Sequence, residues 1–117
     1  AMAAPEHALG LLLVRNKQYS QALKHLRKAK NLAPENTRYA YIYAVAANST
    51  GDSEAAIEAL AAVLVRDAQN VEALRALVGI YYSKRDVANT LIYAEQLIRL
   101  EPNDRELAQL IEHLRRQ

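Results

Sequence analysis

The chain has no cysteine among its 117 residues. That excludes a disulfide framework, a thiol nucleophile and thiolate metal sites. It leaves the compartment open, because a disulfide-free chain folds in cytosol and periplasm alike. Glycine and proline number three each, too few for a β-rich or disordered chain. No apolar run approaches the ~18 residues that a membrane helix needs. The longest, Tyr39 to Ala47, is rich in tyrosine and alanine and reads as a buried helix. No segment has the layout of a signal peptide, and Ala1-Met2 reads as a cloning remnant ahead of a fragment. A net charge of +2 is too small to point to a polyanionic partner.

What is present is a core-forming composition, 51% apolar and 24% charged, with a period of 34 residues. Leu9-Gly10, Tyr43-Ala44 and Leu77-Val78 share one column. Ala22, Ala56 and Thr90 form a small-residue column. Leu26, Leu60 and Ala94 follow, then Ala29, Val63 and Leu97, and Pro34, Ala68 and Pro102 close the unit. A period in this range specifies stacked supersecondary units rather than one closed core. Each unit carries two apolar stripes at helical spacing. In the first unit Ala8, Leu9, Leu12 and Leu13 make one face, and Tyr19, Ala22, Leu23, Leu26 and Ala29 the other. Polar breaks separate them at Arg15–Gln18, Ser49–Asp52 and Ser83–Asp86. Gly51 suits a helix C-cap and Asp52 or Ser53 the next N-cap. Asn36 suits a cap after Pro34, and Asn103 with Glu106 forms a capping-box-like pair. The pattern predicts helices near 5–16, 19–32, 36–50, 53–66, 70–84, 87–100 and 104–116.

These columns resemble the tetratricopeptide repeat, a helix-turn-helix unit whose pattern reads W-x2-L-G-x2-Y, then A-x3-F, then P. The first unit offers Leu9-Gly10-x2-Leu13, Ala22-x3-Leu26 and Pro34. The second offers Tyr43-Ala44-x2-Ala47 and Ala56-x3-Leu60, with Ala68 in place of proline. The third offers Leu77-Val78-x2-Tyr81, Thr90-x3-Ala94 and Pro102. Tryptophan and phenylalanine are missing from the pattern throughout. The resemblance implies an all-α, right-handed superhelical stack: repeats over 3–36, 37–70 and 71–104, then a capping helix over 105–117 with a polar outer face. It also implies a protein-interaction scaffold that holds a partner peptide or helix in a concave groove lined by the first helix of each unit. The alternative is a passive or oligomerising segment of a larger protein. The run from Arg38 to Ala44 followed by Ser49-Thr50-Gly51 resembles C-terminal repeat regions of larger bacterial proteins, so a bacterial cytoplasmic or periplasmic origin is expected.

The groove face follows by removing the buried stripe from each first helix. It comprises His7 and Leu11 in the first unit, and Arg38, Tyr41, Val45 and Asn48 in the second. The third unit adds Arg75, Gly79 and Tyr82, and the last helix adds Gln109 and His113. Tyr41 and Tyr82 offer flat apolar area with a hydroxyl. Arg38 and Arg75 can grip a carboxylate in bidentate fashion. Asn48 can pair with a peptide backbone, and Gly79 opens space beside Tyr82. Arg38, Tyr41, Arg75 and Tyr82 are the expected centre. One subclass of the family clamps the C-terminal carboxylate of chaperone tails. The matching positions, His7, Leu11, Ile42, Glu72 and Ala76, lack the required donors, so that partner is not expected.

No other chemistry is expected. His7, His25 and His113 are far apart and lack metal-ligand spacing. The carboxylates show no arrangement for acid–base work, and the glycines form no phosphate loop. The chain therefore reads as a non-enzyme without cofactor or metal. Arg15, Lys17, Lys24, Arg27, Lys28 and Lys30 make a basic stretch with no acid between Glu6 and Glu35. Only one tyrosine, Tyr19, falls within it, so it reads as a solvated outer face, not a nucleic-acid site. A monomer or weak self-association is expected.

Overall fold

The same 34-residue period governs where helices start and stop. In the computed structural model, which describes residues 2–117, seven helices follow one another: α1 Ala3–Arg15, α2 Tyr19–Leu32, α3 Thr37–Ser49, α4 Ser53–Arg66, α5 Val71–Ser83, α6 Val87–Leu100 and α7 Arg105–Arg115. Ala1, half of the segment read as a cloning remnant, lies outside the described residues. Side-chain oxygens of Asn36, Asn70 and Asp104 accept the backbone N–H three residues on, and start α3, α5 and α7. Asp52 and Asp86 do the same for α4 and α6. These caps satisfy donors that a helix start leaves orphaned. The last cap corrects the sequence reading: Asp104, not Asn103, accepts from Leu107 N–H at 3.0 Å.

The turn inside each unit is also one structure used three times. Lys17, Gly51 and Arg85 stand 34 residues apart with φ of 62°, 96° and 60°. After each, a backbone N–H reaches back five residues, from Gln18 to Leu13, Asp52 to Ala47 and Asp86 to Tyr81, at 2.8, 2.9 and 3.0 Å. This is the Schellman closure of a helix C-terminus. Glycine relieves the left-handed residue only at Gly51.

Each helix packs on its chain neighbours, and α3 also meets α5, giving a body of 48 × 25 × 20 Å. Helices within a unit approach through the small columns. Ala22, Ala56 and Thr90 are fully buried. A Cβ placed on Gly10 would lie 2.5 Å from Leu26 Cδ2 and 2.7 Å from its Cγ. The facing columns trade volume, reading Gly10 with Leu26, Ala44 with Leu60, and Val78 with Ala94.

The two ends differ. Leu9 and Leu12, expected in the core, are 40% and 50% exposed. Their equivalents Tyr43, Leu77, Ala46 and Ile80 are buried, because the preceding unit covers those columns, whereas among the described residues no helix packs over that side of α1. The other end is polar: where the third unit has Val78 and Tyr81, α7 has Glu112 and Arg115, and Arg115 pairs with Glu95. Tyr43 is held from outside, its hydroxyl accepting from Arg27 Nη2 at 3.2 Å with Lys30 over its ring. Part of the basic stretch is thus used in packing. Tyr39 bridges units by stacking on His7 at a centroid distance of 4.3 Å, whereas Tyr93 stacks at 5.8 Å on Tyr81 within the third unit.

Two predictions follow from this packing. Gly10→Ala forces the buried Leu26 side chain to move. Overpacking costs about 1–3 kcal/mol against a helix-propensity gain of about 1 kcal/mol, so denaturant unfolding should show a net loss of about 1 kcal/mol. An unchanged midpoint would contradict the close approach. The second concerns His7, whose pKa is lowered by burial and then by Arg38, and whose Nδ1 is buried without a partner. With the folded value depressed, the unfolded chain takes the proton first. The stability is therefore fully present above about pH 6.5 and is lost as pH falls from there through the lowered folded value. His7→Phe keeps the stack on Tyr39 and should flatten the loss of stability between neutral and mildly acidic pH; an equally steep loss would refute the assignment.

Candidate functional site

The first helices α3, α5 and α7 present their unburied residues along one face, and two cavities open there between adjacent units. The cavity between α3 and α5, of about 310 Å³, is lined by Val45, Asn48 and Gly79, over a floor including Ala44, Leu60, Ala76 and Ile80, with Ser49 and Ser83 at its edge. A Cβ at Gly79 would meet nothing within 4 Å, so the missing side chain leaves free space, as the sequence suggested. The second cavity, of about 550 Å³, lies between α5, the start of α6 and α7. Tyr82, Ser83, Arg85, His113 and Gln117 surround it, with Val87, Thr90 and Leu114 as walls. The structure thus groups Val45, Asn48 and Gly79 in one cavity and Tyr82 and His113 in the next.

The other candidates lie elsewhere on these helices. Arg38 sits 5.2 Å from the centroid of the Tyr41 ring and pairs with Glu72 one repeat away. Arg75 pairs with Glu101 and, at 3.3 Å, with Asp104. Asp104 is held below the usual carboxylate range first by the Leu107 N–H and then by Arg75. Both arginines are therefore spoken for by the chain's own carboxylates. The pairs are exposed, however, and such contacts contribute about 0–1 kcal/mol, so an incoming carboxylate can exchange with them. His7 is half-buried against Tyr39. Leu11 and Gln109 are exposed and line neither cavity. Arg38, Tyr41 and Arg75 form a charged band near the starts of α3 and α5, apart from the cavity residues near their ends.

Sequence reasoning passed over Ser49, Ser83, Arg85 and Gln117. Their signal was the period: Ser49, Ser83 and Gln117 occupy one column, at the ends of successive first helices. Among the described residues no group of His, Cys, Asp and Glu is arranged to hold a metal ion, and no helix is long and apolar enough to cross a membrane.

Solved structures of the same shape are numerous. The Sgt2 tetratricopeptide domain from Aspergillus fumigatus superimposes with a TM-score of 0.78 at 23% identity, over 97% of this chain and 77% of that one. The first such domain of Spaghetti (RPAP3), bound to an HSP90 peptide, gives 0.79 at 15% identity, over 97% and 93%. The Yersinia enterocolitica type III secretion chaperone SycD, in complex with a peptide of the translocator YopD, gives 0.81 at 14% identity, over 95% and 90%. Fungal and bacterial chains share this fold, so the likeness does not carry the bacterial origin expected from sequence. No curated protein sequence matches. The tetratricopeptide repeat family profile matches residues 7–71 and 49–105. With its right-handed superhelical stack of three helical pairs and a closing helix, the chain belongs to the tetratricopeptide repeat family.

Proposed function

We propose that this protein is an interaction scaffold that binds an extended peptide of a partner protein along the face formed by α3, α5 and α7. The cavities supply the anchoring sites, through Val45, Asn48, Gly79, Tyr82 and His113. Arg38, Tyr41 and Arg75 form the charged rim at the other end of the same helices, with His7, Leu11 and Gln109 at its margins. The single observation that carries the reading is the unfilled space over Gly79. A helix interior gains about 1 kcal/mol from alanine in place of glycine, yet this position keeps glycine where a Cβ would touch nothing. The space therefore has no packing reason. Pockets of this size with an apolar floor and a few polar edges suit side-chain anchoring. Structural neighbours that hold peptides, one from HSP90 and one from YopD, support the same use. The rival reading, a passive or oligomerising spacer, draws on exposed Leu9 and Leu12 but gives the cavities no use.

The test uses two substitutions at one position. Gly79→Ala should raise stability by about 0.5–1 kcal/mol, since it adds helix propensity without a clash. Gly79→Trp should keep the fold, with unchanged circular dichroism, and fill the cavity. Peptides selected from a phage-displayed random library by the unmodified protein should bind Gly79→Trp at least about tenfold more weakly, the loss of roughly one good anchor. Equal binding to both proteins would rule out this face.

A further inference from the structure

The two cavities are the same site repeated 34 residues on. Asn48 corresponds to Tyr82, Ser49 to Ser83, Gly79 to His113 and Ser83 to Gln117, and Ser83 borders both spaces. Their chemistry nevertheless differs. Every side chain lining the first is uncharged. The second is bordered by Arg85 and by no Asp or Glu side chain. Other cations of this face are already paired, Arg38 with Glu72 and Arg75 with Glu101 and Asp104, and the adjacent Lys84 pairs with Glu54 at 3.0 Å. Among the described residues Arg85 has no carboxylate within ion-pair reach.

We propose that the two cavities are consecutive sites for one peptide in the polyproline II conformation, an aliphatic side chain entering beside Gly79 and an Asp or Glu side chain, three positions away, meeting Arg85. The inference rests on the peptide-binding reading above. The spacing comes from the scaffold. Helices α3 and α5 are in contact, and packed helices lie about 8–10 Å apart, so successive sites are offset by about that distance. A polyproline II chain rises about 3.1 Å per residue with three residues per turn. Residues i and i+3 then share a face about 9 Å apart, matching the offset. A β-strand repeats its faces every two residues, about 6.6 Å, and falls out of register with the cavities. The first site, floored by Leu60 and Ile80 and only edged by Asn48 and Ser49, favours an aliphatic group. The second is larger, and its apolar wall at Val87 and Leu114 takes the methylene stem while Arg85 takes the carboxylate. Charge-assisted pairing of this kind gives both affinity and register.

The decisive experiment pans a phage-displayed library of random twelve-residue peptides on the unmodified protein, then measures selected peptides by fluorescence anisotropy. Enriched sequences should share an aliphatic residue and an Asp or Glu three positions apart. Arg85→Glu should weaken them about tenfold or more, and exchanging the peptide's acid for lysine should restore binding to Arg85→Glu, which guards against a folding defect. If enriched peptides lack the pair or bind Arg85→Glu equally well, yet are lost on Gly79→Trp, the register is wrong and the groove reading stands. If no peptide is enriched, or enriched peptides ignore both substitutions, both fall.

Discussion

Everything in this molecule depends on how closely the two helices of a unit can approach. That distance is set by one small residue against its partner: Gly10 under Leu26, then Ala22, Ala56 and Thr90 at full burial. Interiors are packed at crystalline density, so a methyl group added there must displace something. Because the facing columns exchange volume, three units of different composition keep one geometry. A regular unit then stacks regularly, and the stack creates a face that no single helix has.

The scaffold divides its residues by column. Positions that pack repeat in size, and positions that cap repeat in chemistry, as Asn36, Asn70 and Asp104 do. Positions on the unburied face of the first helices do not repeat: His7, Tyr41, Arg75 and Gln109 share one column, and Leu11, Val45, Gly79 and His113 another. Equivalent cavities one unit apart acquire different chemistry, one neutral and one cationic, because the turn position that is Gly51 in the second unit is Arg85 in the third. A repeat protein varies specificity in this way at little cost to stability, since most of the residues that differ are not those that hold units together; His7, stacked on Tyr39 of the next unit, is the exception.

Much of this was legible in the chain. Small and large columns gave the unit and its helices to within about two residues. The misreadings have physical causes. Leu9 and Leu12 lie on a helical stripe, but a stripe is buried only if a neighbour covers it, and periodicity along a helix says nothing of the neighbour. Asn103 and Asp104 can both cap; alignment with Asn36 and Asn70 selects Asp104. Arg38 and Arg75 read as free cations because their partners lie 34, 26 and 29 residues away, beyond any local pattern. The cavities were half visible. Gly79 signalled space, whereas Arg85 joins the site only when α7 closes over it.

The central claim is that binding occurs on the face of α3, α5 and α7. Its most direct measurement is a titration of isotope-labelled protein with a library-selected peptide, followed by amide chemical shifts. The account predicts shifts concentrated at Val45, Asn48, Gly79, Ser83 and His113, around the two cavities. Shifts gathered instead on the outer helices α2, α4 and α6 would contradict it.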